Sequence, residues 1–296
     1  MTVAVRRRWL RWPLRDREVR AAIHEWVPDR PVRAAVCVHG FLGNGREYAP
    51  LAAAMARHGW RVFCPDLPGH GESDWLPEAG DYGGPIYREV MLRLVHAAGL
   101  AAIDLVGSSM GAAVALRIAA DQPELVRRLV LNDGGAFAPR AALARVLSLA
   151  PVDTWFADRA AAEAAVRRYR SDCDPLTAAD WAEVLAEAMR PDGTGWRLRH
   201  DPRVLAKLVA AAGQDQSQWP AWDAVACPVL LVRGEHSAML SAAIATAMIA
   251  RRPGTDVITV RNCGHRPWLR RPDQIAALVH WLAQGHLPSP GTGSRQ

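Results

Sequence analysis

The chain has 296 residues, half of them apolar and 22% charged, enough for one large domain with a buried core and room for an insertion. Its net charge of +6 is carried by arginine, because Lys207 is the only lysine, and neither a clustered basic face nor a recognisable nucleic-acid module accompanies it. That balance points away from nucleic acid, and no apolar run reaches the length of a membrane span.

From the N-terminus, Arg6-Arg7-Arg8-Trp9-Leu10-Arg11 superficially resembles a twin-arginine export signal. An apolar stretch should follow such a signal, yet Arg15, Asp16, Arg17, Glu18 and Arg20 stand there instead, so a cytoplasmic protein is expected. Strand patterns follow at 19–26, 34–39, 60–64, 103–106, 128–132, 228–233 and 256–260. Helical patterns occupy 48–58, 86–98, 110–120, 241–251 and 272–283 between them. This alternation predicts an α/β fold, a mostly parallel doubly wound sheet covered on both faces. Residues 135–220 break the rhythm, with helical stretches at 159–169, 177–189 and 202–212 and no strand pattern. They read as a helical cap that divides the core into residues 1–134 and 221–286. Trp155, Trp181, Trp196 and Trp219 fall in this segment. Most are expected to build the cap's own core, and the cap to give the reacting centre an apolar roof. Residues 287–296 read as a disordered tail. The five cysteines are odd in number and lack metal-ligand spacing, which predicts buried free thiols and no metal or organic cofactor.

Three motifs carry chemistry. The first is Gly107-Ser108-Ser109-Met110-Gly111, set between a predicted strand and a predicted helix. That context makes Ser109 a nucleophile on a sharp turn, with small residues where side chains would clash. The second is His39-Gly40-Phe41-Leu42-Gly43, which closes a strand and lets the Phe41 N–H join the Met110 N–H as an oxyanion hole. The third is Asn262-Cys263-Gly264-His265, where His265 stands in a loop after the last strand, as a base for Ser109 must. The Gly-rich loop Asp66 to Trp75, which contains His70, reads as structural.

In this order, and over residues 19–282, these motifs resemble the α/β-hydrolase superfamily in its cap-bearing bacterial serine hydrolase branch. The resemblance implies an acid after the strand at 228–233, but Ala238 stands in its place and Ser237 beside it. Several readings follow. Asp133, after the preceding core strand, takes over as the acid, or less directly Glu235 does. Alternatively Ser109 and His265 act as an impaired dyad, or Ala238 marks an Asp-to-Ala variant. In the last reading the pocket serves a different activity, as a lyase or cyclase, or as a ligand-binding pseudoenzyme. The reading that suits the retained Ser109 and His265 is a serine hydrolase of a small to medium apolar ester, lactone or thioester. It acts through a Ser109 acyl-enzyme, with Asp133 orienting His265, on a small-molecule substrate and with neither nucleic acid nor membrane as a partner.

Overall fold

A computed structural model describes residues 2–287. Eight strands form one sheet: β1 (Val3–Leu14), β2 (Arg17–Pro28), β3 (Arg33–Val38), β4 (Trp60–Pro65), β5 (Ile103–Ser108), β6 (Val126–Asn132), β12 (Val229–Gly234) and β13 (Asp256–Val260). Their order is β1-β2-β4-β3-β5-β6-β12-β13, parallel from β4 to β13, with β1 and β2 as an antiparallel edge. The parallel strands are nearly unbroken apolar runs because both of their faces are buried. In β5, Ile103 and Leu105 face the core under α2 (Gly84–Ala97), α3 (Met110–Asp121), α8 (Trp219–Ala224) and α9 (Ala242–Arg251). Val106 faces the opposite layer, built on α1 (Ala49–Arg57) and α10 (Pro272–Gln284).

Strand β1 was not expected. It has the arginine-rich, largely exposed face of an edge strand, and only Trp12 in it is buried. Charge on an edge discourages pairing with other chains and also hides the period-two signal.

Between β6 and β12 the chain forms α4 (Arg140–Leu149), α5 (Arg159–Tyr169), α6 (Ala178–Ala188) and α7 (Leu205–Ala212). The expectation of no strand here needs correction. Short strands β8 (Trp155–Phe156), β9 (Met189–Asp192) and β10 (Gly195–Leu198) make a three-stranded sheet, and β7 (Phe137–Ala138) pairs with β11 (Gln216–Ser217). Runs of two to four residues are too short to show alternation. The hairpin β9–β10 nevertheless carries a turn signal, Asp192-Gly193, with Gly193 at φ +59°. Residues 288–296, most of the expected disordered tail, lie outside the described residues.

At the end of β5 the chain doubles back into α3 with almost no space. A Cβ on Gly107 would lie 2.3 Å from the Gly111 carbonyl oxygen, and one on Gly111 would lie 2.2 Å from that of Val38. Both obstacles are backbone, so neither yields cheaply. Gly107→Ala is therefore expected to destabilise the protein by about 3 kcal/mol or more, read as a lowered urea midpoint.

Candidate active site

Ser109 sits at the turn between β5 and α3 with φ +50° and ψ −113°, a conformation that costs a non-glycine residue energy. The turn is held from both sides. The Ser109 N–H donates to the Asn132 carbonyl at 2.8 Å, and its own carbonyl accepts from the Ala112 and Ala113 N–H groups. Asn132 also donates through Nδ2 to Ser108 Oγ (2.9 Å) and to the Pro267 carbonyl (2.8 Å), tying the turn to the histidine loop.

His265 Nε2 lies 2.9 Å from Ser109 Oγ, and His265 Nδ1 lies 2.8 Å from Asp133 Oδ2. The same Asp133 oxygen accepts from the Arg266 N–H at 2.5 Å and from Ser237 Oγ at 2.9 Å. Asp133 is fully buried at the end of β6, at φ +52°. Donors converge on it from two other loops, as suits an acceptor-only carboxylate. Glu235 is elsewhere: its Oε2 accepts from the Asn262 N–H, and its side chain is half-exposed. Ala238 lines a cavity that His265 also borders, while Ser237 serves as a donor to Asp133.

On the opposite side of Ser109, His39 Nε2 accepts from the Leu67 N–H at 2.9 Å, so its Nδ1 carries the proton and donates to the Gly40 carbonyl at 2.8 Å. That carbonyl also accepts from the Gly43 N–H. In a trans peptide the carbonyl of residue 40 and the N–H of residue 41 point opposite ways, so fixing the first aims the second. Among the described residues, neither the Phe41 nor the Met110 N–H is bonded to another protein group. Sequence reasoning missed the support behind this loop. Buried Glu47 accepts from Arg170 and, at 2.8 Å, from Arg266 Nη1. No local motif marks three residues so far apart in the chain.

The cavity at Ser109 is tight, about 20 Å³, and is lined by Phe41, Val146, Leu149, Tyr169, Arg170 and Cys173 among others. A neighbouring cavity of about 340 Å³ shares Val146, Asp172, Cys173 and His265 with it and reaches Ala238. None of the four tryptophans of the insertion lines either cavity. Trp181 packs edge-on to Trp268, Trp196 joins the insertion's own core, Trp219 packs on the main core and Trp155 is exposed. The apolar lining that the insertion gives the cavity comes instead from α4 and α5. Among the described residues no cluster of His, Cys, Asp and Glu could hold a metal ion, and no helix is long and apolar enough to cross a membrane.

His70 is buried behind the site. Its ring lies 5.0 Å from that of His39, and a backbone bridge joins it to His200 of the insertion. Burial drives the pKa of His70 well down, with the two neighbouring histidines adding to it, and pushes that of His200 to about 4. These rings are held neutral in the folded state, whereas an unfolded imidazole titrates near 6.5. Their contribution to stability is therefore complete above pH about 6.5 and lost as pH falls towards 4. Melting temperature should fall over that window, and fall less in His200→Leu. An equal fall in both proteins would assign the effect to other groups.

The Alpha/beta hydrolase family model matches residues 35–278. A 3-hydroxybutyrate-oligomer hydrolase of Cupriavidus necator is 30% identical over 266 residues, 87% of this chain and 90% of that protein. A pimeloyl-[acyl-carrier protein] methyl ester esterase of Xanthomonas campestris is 31% identical, covering 83% of this chain and 93% of that protein. The crystal structure of an alpha/beta hydrolase from Novosphingobium aromaticivorans superposes with a TM-score of 0.80 at 27% identity, covering 94% and 98% of the two chains.

Proposed function

The chain belongs to the alpha/beta hydrolase family and is an enzyme of hydrolase type, and we propose that within this family it is a serine hydrolase of small to medium carboxylic esters, with Ser109, His265 and Asp133 as its triad. The observation that carries this reading is the unbroken chain of contacts from Ser109 Oγ through both ring nitrogens of His265 to Asp133. A dyad without an acid, or a pseudoenzyme, would have no need of that alignment. The substrate class draws support from the names of the two relatives, both of which act on esters. The Cupriavidus name points further, to esters of short hydroxyacyl units. Lactones and thioesters would use the same acyl chemistry.

In this scheme Ser109 Oγ attacks the acyl carbonyl as its proton passes to His265 Nε2. The resulting oxyanion is received by the Phe41 and Met110 N–H groups. Asp133 keeps the ring in the tautomer that exposes Nε2 as a base and stabilises the imidazolium once it forms. Collapse of the adduct expels the alcohol, which takes the proton from His265. Water, deprotonated in turn by His265, then releases the acid and restores Ser109. No step calls for a metal or an organic cofactor. Residues 135–220 serve as a cap over the reacting centre. The free thiols of the five cysteines suit a reducing compartment such as the cytoplasm.

A fluorophosphonate probe tests the nucleophile. One covalent adduct is expected, located at Ser109 by peptide mass spectrometry and lost in Ser109→Ala; a folded protein that stays unlabelled would sink the hydrolase reading. Product formation that survived in Ser109→Ala would instead show a lyase working through His265. Asp133→Asn should reduce kcat about 10⁴-fold at nearly unchanged KM, measured on p-nitrophenyl butyrate. An undiminished rate would remove Asp133 from the triad.

A further inference from the structure

The oxyanion loop is gripped from above by one turn of the insertion. The Tyr169 hydroxyl, at the end of α5, donates to the Phe41 carbonyl at 2.8 Å. Arg170 donates through Nη2 to the Leu42 carbonyl at 3.2 Å, and the same guanidinium is paired with Glu47. Leu42 lies between these anchors at φ +54°, a backbone state that persists only when its surroundings impose it. The turn then crosses to the other side of Ser109. The Asp172 carbonyl accepts from the Gly264 N–H at 2.8 Å, and Asp174 Oδ1 accepts from the Trp268 N–H at 2.7 Å. Residues 169–174 thus touch both loops that the proposed chemistry needs.

We propose that Tyr169 and Arg170 are positioning residues for the oxyanion hole. By fixing the Phe41 and Leu42 carbonyls they hold the two peptide planes that follow Phe41, and so keep in place the Phe41 N–H that the Gly40 carbonyl aims; the hole is complete only while the cap is docked. The inference rests on the serine hydrolase reading above. Two features support it independently of sequence motifs. The peptide units on either side of the strained Leu42 have no other bond to their carbonyls among the described residues. Moreover, burial raises the pKa of the Tyr169 phenol, so it remains a donor throughout the working pH range. Coupling cap docking to hole assembly confines full reactivity of Ser109 to the closed, substrate-covered state.

Tyr169→Phe keeps the ring and removes only the donor. With p-nitrophenyl butyrate its kcat is expected to fall about tenfold while KM stays within about twofold, the signature of an interaction strongest in the transition state. Affinity for a phenylboronic acid, which forms a tetrahedral adduct at Ser109, should fall by a similar factor. The pH profile of kcat/KM, which reports His265, should keep its shape. Arg170→Lys retains the charge beside Glu47 but shortens the reach to Leu42, and should shift kcat and boronate affinity in the same direction. A merely structural Tyr169 would lower melting temperature and leave boronate affinity unmoved, which overturns the proposal. A rise in KM alone would make Tyr169 a substrate contact and overturn it too. If wild-type Ser109 takes up fluorophosphonate but Tyr169→Phe matches wild type, only this inference fails. If wild-type Ser109 is not labelled, the hydrolase reading fails with it.

Discussion

The carboxylate of Asp133 is the point on which the site depends mechanically. It is fully buried at the end of β6, and it draws donors from the loop after β12 (Ser237) and from the loop after β13 (His265 and Arg266). A buried carboxylate stripped of such partners would be expensive, so the loops are drawn to it rather than merely near it. Its neighbour Asn132 reaches the other way, to Ser108 and Pro267. Two adjacent side chains at one strand end therefore register the Ser109 turn, the histidine loop and the β12 loop against one another.

This registration holds a strained backbone. Seven non-glycine residues have positive φ among the described residues, and four of them (Leu42, Ser109, Asp133 and Arg266) belong to the site or its supports. Each such residue costs on the order of 1–3 kcal/mol and must be fixed by its surroundings. Around Ser109 the fixing comes from β6 and α3. Around Leu42 it comes from the insertion and from Glu47, which sits between Arg170 and Arg266 and faces Gly43 so closely that a Cβ there would lie 2.7 Å from Glu47 Oε2. One buried carboxylate thus joins the insertion, the loop after β3 and the histidine loop. Core packing supplies the stability, and these ionic contacts supply the geometry.

What was legible in the sequence follows the range of the physical requirement. The turn at Ser109 must satisfy local sterics, so Gly107 and Gly111 announce it within five residues. The placement of His265 beside Ser109 was legible because the loop after the last strand, where a glycine precedes it, lies at the same end of the sheet as the Ser109 turn. The parallel strands were legible as apolar runs. By contrast, β1 hides its alternation under edge charge, and the small strands of the insertion are shorter than any period. Large aromatics signal burial and not which cavity they border, so the tryptophans left the lining unassigned; Val146, Leu149 and Tyr169 contribute to it. Glu47, Arg170 and Arg266 left no trace, since their partnership exists only after 219 residues of chain have folded back.

Asp133 stood in the sequence as one of several candidates because a strand-end Asp commonly only shapes its turn. The expectation of a carboxylate at 238, which the resemblance raised, takes on a different meaning once the β12 loop is placed. That loop contributes a hydroxyl donor, Ser237 Oγ, to Asp133, and Ser237 in turn accepts from the Met239 and Leu240 N–H groups. The loop after β12 thus supplies a donor to Asp133. Two carboxylates converging on one ring nitrogen would repel each other, and one of them would be held protonated. With Asp133 already at 2.8 Å from Nδ1, an aspartate at 238 would be redundant at best. Alanine there leaves instead an open wall in the cavity that runs past His265 to Arg145 and Asp172. On the proposed mechanism, alanine at 238 is the counterpart of an acid on β6 rather than the mark of a damaged triad.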